Sequence, residues 1–252
     1  MTENKFWSFF GIALAVMAFF HKNMSTQELL LLGALVVIVC FVISYIWNKL
    51  LNSNHKWIDA VCYFFSKSKS PYIIVDKIVR YNITTPKEAI YDLSCKLKVK
   101  KDTPRFCYKG RYHWDQEEDI AVSVTGDGKF KYETSEDLKW SNVDIFPEDR
   151  IIHRNDVIKC GFSLNNLHIS RLNKHSYLSC KMIEKTKNLK MIALVNSGLK
   201  PLKEAVFITQ NSFGDEIDRE KLLYNDISNC YEKTIVYPRR GRKYIIKWEY
   251  EK

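Results

Sequence analysis

Glycine and proline are scarce in this 252-residue sequence, nine and six residues respectively. Their scarcity excludes collagen-like and low-complexity chains and leaves enough ordinary side chains to bury a core. The signatures of common enzyme classes are also missing. There is no GxxxxGK phosphate loop, no HExxH, no GxSxG elbow and no kinase motif set. The seven cysteines form neither a CxxC pair nor a Cys/His cluster at zinc spacing. Cys95, Cys107, Cys160, Cys180 and Cys230 follow no disulfide framework and read as reduced thiols in a cytosol. The six histidines are scattered. The acids at Glu117, Glu118 and Asp119, and at Glu216 and Asp218, read as solvated loops. No enzyme activity, cofactor or metal is therefore expected.

What the sequence does contain is an excess of positive charge and two apolar runs. The formal net charge is +10, and nearly all of the excess follows residue 50. It points to a phosphate-bearing ligand, a nucleic acid or anionic lipid headgroups. Residues 6–20 and 29–47 carry no charge and are strongly apolar, with a short polar stretch between them. By length and hydropathy they are expected to be two membrane-spanning helices, a hairpin occupying residues 1–50. Only Lys22 lies between the runs as a firm cation, whereas Lys49, Lys56, Lys67, Lys69, Lys77 and Arg80 follow the second. The positive-inside rule then predicts a multi-pass protein of the inner membrane, with the N-terminus and the large C-terminal domain cytoplasmic.

Small residues recur at helical spacing in both runs. Ser8, Gly11, Ala15 and Ala18 share one face of the first, and Gly33, Val37, Cys40 and Ser44 one face of the second. Such stripes let helix backbones approach closely in lipid. Packing of the two helices on each other is the first reading of them, and the sequence also permits self-association into a homo-oligomer. Residues 51–70 read as an amphipathic connector, with Leu51, Ile58, Val61, Cys62 and Phe65 on one side and Trp57, Tyr63 and Phe64 suited to a membrane interface.

Beyond residue 70 the hydrophobic period changes to two. Leu93, Cys95, Leu97 and Val99 alternate with Lys96, Lys98 and Lys100, the pattern of a half-buried antiparallel strand with a basic outer row. Ile120, Val122 and Val124 repeat it, and Gly126-Asp127-Gly128 turns the chain into Phe130 and Tyr132. Further strands are predicted at 72–81, 105–114, 157–164, 177–183, 191–195, 205–209, 234–237 and 243–250, and one helix near 218–224. The expected fold class is a membrane α-helical hairpin plus an all-β cytoplasmic domain at 71–252, an antiparallel barrel or sandwich.

Two stretches mix cations with rings or cluster arginines. Lys109, Arg111, Tyr112 and Trp114 lie on a predicted strand, and Arg239, Arg240, Arg242 and Lys243 surround Gly241 at a predicted hairpin tip. Arginine forks grip phosphate oxygens and aromatic rings stack on bases, which makes these eight residues the candidate ligand-binding set. The more ordinary reading of each is a solvated basic face or attraction to anionic lipid.

This order of parts, a two-helix hairpin, a short connector and a β-domain without a catalytic motif, resembles the two-transmembrane, β-strand-rich effectors of prokaryotic antiviral defence, of the cyclic-oligonucleotide (CBASS) or retron type. The resemblance is architectural and transfers no binding residue. It implies an abortive-infection effector whose β-domain controls oligomerisation of a membrane-disrupting hairpin. The partners it implies are membrane lipid, further copies of the chain, and either a cyclic oligonucleotide or a reverse transcriptase with its RNA-DNA hybrid. The alternative is a non-toxic anchored module that recruits a nucleic acid or a protein.

Overall fold

The computed structural model describes residues 56–68, 70–85, 87–103, 105–112, 120–137, 140–148, 151–168, 176–195, 198 and 200–250, with shorter stretches between 25 and 45. The chain divides into two compact units, Met1–Asn54 and His55–Lys252.

In the first unit the described helical positions begin at Gln27 and end at Tyr45. Ser25 opens them with a capping box. Its backbone N–H and its hydroxyl each donate to the Glu28 carboxylate at 2.8 Å, and the Glu28 N–H donates back to Ser25 Oγ at 3.4 Å. Among the described residues, no helix is long and apolar enough to cross a membrane. This overturns the expected membrane-spanning hairpin, and with it the hairpin half of the fold class and the multi-pass inner-membrane placement. Crossing requires about 20 consecutive apolar helical residues, a requirement that no described helix meets. An apolar run sets hydropathy but does not by itself supply that helical length. The run at 6–20, with Ser8, Gly11, Ala15 and Ala18, lies outside the described residues, as do Cys40 and Ser44. Gly33 is half-buried and Val37 exposed on the described helical stretch.

The second unit begins with helix α1 (Lys56–Phe65). Its last turn is closed by the Ser66 hydroxyl donating to the Tyr63 carbonyl at 2.9 Å. The connector pattern is partly inverted here. Ile58 is buried at 5% exposure, whereas Val61 and Phe65 of the same expected face are exposed. Tyr63 and Phe64, expected at a membrane interface, pack instead on the Tyr237 ring at 4.7 and 5.7 Å.

Thirteen strands follow: β1 (Tyr72–Thr85), β2 (Glu88–Val99), β3 (Tyr108–Tyr112), β4 (Ala121–Gly126), β5 (Phe130–Asp137), β6 (Trp140–Pro147), β7 (Val157–His168), β8 (Ser176–Lys181), β9 (Thr186–Val195), β10 (Glu204–Gln210), β11 (Glu216–Leu223), β12 (Cys230–Val236) and β13 (Lys243–Trp248). They form a six-stranded sheet in the order β12-β9-β1-β2-β7-β4, a four-stranded sheet β11-β10-β13-β8 and a three-stranded sheet β3-β6-β5. These are separate layers around one core, closer to the sandwich than to the barrel of the sequence reading. One pairing, β1 with β9, is parallel. Leu93, Cys95, Leu97 and Val99 are all buried, while Lys96, Lys98 and Lys100 are exposed, as the alternation requires.

Rings weld the layers. Trp248 of the four-stranded sheet lies 6.2 Å from both Tyr81 and Tyr231 of the six-stranded sheet. Tyr112 of the three-stranded sheet lies 6.2 Å from Phe162. Burying side chains of this size supplies most of the drive for folding, about 1.5–3 kcal/mol each. Strands β2 and β7 approach so closely at Gly161 that an added Cβ would strike the Leu93 carbonyl oxygen and lie 2.9 Å from Ser94 Cα.

The helix expected near 218–224 is strand β11, paired with β10 along its length. Glu, Arg, Lys and Leu give this segment high helix propensity, which the ladder overrides. Strand β6, the centre of its sheet, was not predicted because Ser141, Asn142, Asp144 and Pro147 resemble loop residues.

Candidate functional site

The outer face of the four-stranded sheet is the best-formed candidate. Directly opposed residues of an antiparallel pair project to the same side, so the register defines the face row by row. One row runs Lys221, Val206, Lys247, Tyr177 across β11, β10, β13 and β8. The next runs Arg219, Ile208, Ile245, Ser179, and the third Glu216, Gln210, Lys243, Lys181. Their neighbours Phe207, Tyr244, Ile246, Leu178 and Cys180 face the core and are buried. The result is an apolar stripe of Val206, Ile208 and Ile245 between cationic rows.

A depression of about 630 Å³ lies over this face, lined by Val206, Ile208, Arg219, Lys221 and Lys247, with Leu202, Lys203, Glu204 and Glu249 at its margin. Two of the cations are already matched. Arg219 grips Glu216 through two hydrogen bonds of 2.7 and 2.8 Å, and Lys221 meets Glu204 at 2.8 Å. The Arg219 hydrogen bonds hold the Glu216 carboxyl below the usual carboxylate range. Lys181, Lys203, Lys243 and Lys247 make no ion pair among the described residues. Tyr177 is 58% exposed and has no ring partner among the described residues.

The sequence matches no protein-family model and no curated protein. Solved structures with some likeness include an M1 zinc metallopeptidase from Deinococcus radiodurans, with 8% identity over 73% of this chain and 44% of that one at a TM-score of 0.37. Leukotriene A4 hydrolase from Saccharomyces cerevisiae gives 10% identity over 70% and 29% at 0.38. The pilus backbone RrgB from Streptococcus pneumoniae gives 10% over 68% and 74% at 0.26. The chain thus spans less than half the length of the peptidases it matches. None of these likenesses bears on what this chain does. Among its own described residues, no group of three or more His, Cys, Asp or Glu side chains is placed to hold a metal ion.

The two sequence-predicted clusters are not brought together into one site. Lys109 is exposed and reaches Asp144 at 3.6 Å, and Arg111 is exposed beside it. Tyr112 is half-buried, with its ring committed to Phe162, so it is not presented for stacking on a base. Trp114 lies outside the described residues.

At the C-terminal turn, Arg239 and Arg242 are buried rather than presented to a ligand. Arg239 Nη2 lies 2.6 Å and Arg242 Nη1 3.5 Å from Asp59 Oδ1 on α1. Burial pulls the Arg242 guanidinium down from its ordinary pKa, and the neighbouring Arg239 adds to this. The Arg239 N–H donates to the Tyr244 hydroxyl at 2.9 Å, and the turn is set by left-handed backbone at Tyr237 (φ 54°) and Gly241 (φ 86°). This is a clamp that holds α1 to the β-layers. Arg240 remains exposed, and Lys243 belongs to the basic sheet face.

Sequence reasoning missed Lys181, Arg219, Lys221, Lys247 and Tyr177. A signal was present in Lys243-Tyr-Ile-Ile-Lys247, where two cations four residues apart flank Ile245 on one side of a strand. Lys77 was also misplaced, having been counted as a membrane-flanking cation. It stands opposite Cys95 on β2, which in turn stands opposite Cys160 on β7, all on the core side. Burial pulls the Lys77 ammonium down, but Cys180, Cys95 and Glu184 together raise it above its ordinary value. Burial pushes the Cys95 thiol up to about 11 despite Lys77. That inert, protonated thiol shares a 3.1 Å hydrogen bond with the Tyr108 hydroxyl.

Proposed function

We propose that this chain is a recognition module, not an enzyme, and that it holds an anionic partner on the outer face of the four-stranded sheet. The observation that carries this reading is the set of Lys181, Lys243 and Lys247 on one sheet face, none of them in an ion pair among the described residues. An exposed cation set without built-in counterions gains most from a partner that brings several negative charges at once. The chain's net charge of +10 supports the same reading. The membrane-disrupting effector of the sequence reading depended on the helical hairpin and is not carried forward.

The test is retention of the full chain on an immobilised polyanion, with elution by salt, for the natural sequence and for the triple variant Lys181→Glu, Lys243→Glu, Lys247→Glu. The natural chain is expected to elute at clearly higher salt, with both proteins showing the same thermal midpoint. Equal elution of the two would sink the reading.

A further inference from the structure

We infer that the anionic partner is a single-stranded nucleic acid lying across β13 and β8, with a base stacked on Tyr177. This rests on the anionic-partner reading above and adds the identity of the polymer. Three features of the face carry it.

The first is spacing. Lys243 and Lys247 are four residues apart on β13, about 13–14 Å along a strand, and Lys181 stands one strand over from Lys243, about 5 Å away. The cations therefore flank a patch about two side-chain rows long instead of clustering on one point, and they suit a polymer with several phosphates more than a single small anion.

The second is what lies between them. Ile245 and Ser179 form the middle row on these two strands, with Ile208 beyond before Arg219 ends the row on β11, so the floor between the three lysines carries no charge. A polyanion that sets flat apolar groups between its charges matches this order of charge, apolar surface and charge. Nucleotides do so at every step, whereas an acidic peptide gathers its charge without rings.

The third is Tyr177. It stands directly opposite Lys247 on β8, which pairs only with β13 among the described residues. Tyr177 is exposed on the terminal strand of its sheet, a margin that an unpaired base can reach to stack. Proteins that bind single strands without sequence preference combine these two elements, a cationic track and an exposed ring. A duplex keeps its bases stacked internally, and among the described residues no helix or ribbon projects from this sheet face to enter its major groove.

The experiment is fluorescence anisotropy of the full chain with four probes closely matched in charge: a labelled dT12, the same oligomer with abasic sugars, a 6-bp DNA duplex closed by an uncharged linker and a polyglutamate peptide. The dT12 is expected to bind at least about tenfold more tightly than the abasic oligomer, the size of effect one stacked base produces. Tyr177→Ala should weaken dT12 binding by about tenfold and leave the abasic oligomer unchanged, whereas Tyr177→Phe, which keeps the ring, should stay within about twofold. Lys243→Gln and Lys247→Gln should each lower the slope of log K against log salt concentration by about 0.7, the value for one single-strand phosphate contact.

Equal binding of all four probes, with Tyr177→Ala silent, overturns the single-strand assignment while leaving the anionic-partner reading standing. Tighter binding of the duplex or of polyglutamate also overturns it. Failure of every probe to bind overturns both. Tyr177 is exposed, so thermal midpoints of the variants should match the natural chain and confirm that lost binding is not lost fold.

Discussion

Removing the Asp59 carboxylate should unfold this protein far more readily than an ordinary surface change would. Asp59, Arg239 and Arg242 are 9%, 8% and 3% exposed, so Asp59→Ala leaves two guanidinium groups buried beside a vacated counterion. Breaking a buried pair by deleting one partner costs about 3–5 kcal/mol, because the remaining charge keeps its desolvation penalty without the compensating attraction. Asp59 also sits in the first turn of α1, where a carboxylate favours the helix dipole by about 0.3–1 kcal/mol. The clamp should therefore dominate. For a domain of 150–250 residues each kcal/mol moves the thermal midpoint by about 2–4 °C, which predicts a fall of roughly 6–20 °C. The assay is urea and thermal unfolding of the full chain, followed by tryptophan fluorescence. Asp59→Asn, which keeps the shape and removes the charge, should fall nearly as far. The triple change Asp59→Leu, Arg239→Met, Arg242→Met should lie within about 2 kcal/mol of the natural protein, because replacing a whole buried ionic group by apolar side chains is close to neutral. An Asp59→Ala loss under about 1 kcal/mol would refute the clamp, and a triple variant as unstable as the single one would show that packing, not charge, is responsible.

Two further outcomes follow from the β-layers. Gly161→Ala should cost about 3 kcal/mol, the upper end for overpacking, because the new Cβ meets the backbone of Leu93 and Ser94 instead of a side chain that can swing away; the urea midpoint measures it. Stability should decline as pH rises from 9 to 11, because burial raises the Cys95 pKa to about 11, so the unfolded chain releases a proton that the folded one keeps. This contribution is fully present below pH 9 and amounts to roughly 2–3 kcal/mol. The difference in urea midpoint between pH 8 and pH 10.5 should shrink accordingly in Cys95→Ala.

The strands were legible where burial is one-sided. The alternation from Leu93 to Val99 reports a core on one face and water on the other, and the structure places those residues accordingly. Period alone could not reveal β11, because Glu216 to Leu223 carries a helix-forming composition and becomes a strand only through its ladder with β10. The apolar runs before residue 50 were legible as hydropathy, and the run at 6–20 lies outside the described residues. Hydropathy measures what a segment avoids, whereas a spanning helix also needs an unbroken length, which no described helix has.

The arginines around Gly241 show why a cluster of charge misleads when read along the chain. Arg239, Arg240, Arg242 and Lys243 lie within five residues yet have three different fates. Two are buried on Asp59, about 180 residues earlier in the chain, one is exposed, and one joins a sheet face. Their countercharge is supplied by a contact of the longest range, which no local pattern encodes. The face that remains as the candidate site has the opposite character. Its cations come from Lys181, Arg219, Lys221, Lys243 and Lys247, dispersed over three strands, and become one surface only because the two-residue period and the antiparallel register act together. In a β-protein of this kind, then, cations spaced two or four apart on strands that later pair are a better guide to a binding surface than cations adjacent in a turn. A turn exposes its residues to every side, so its charges find partners within the fold as easily as outside it. A strand directs alternate side chains to one side and denies them the core.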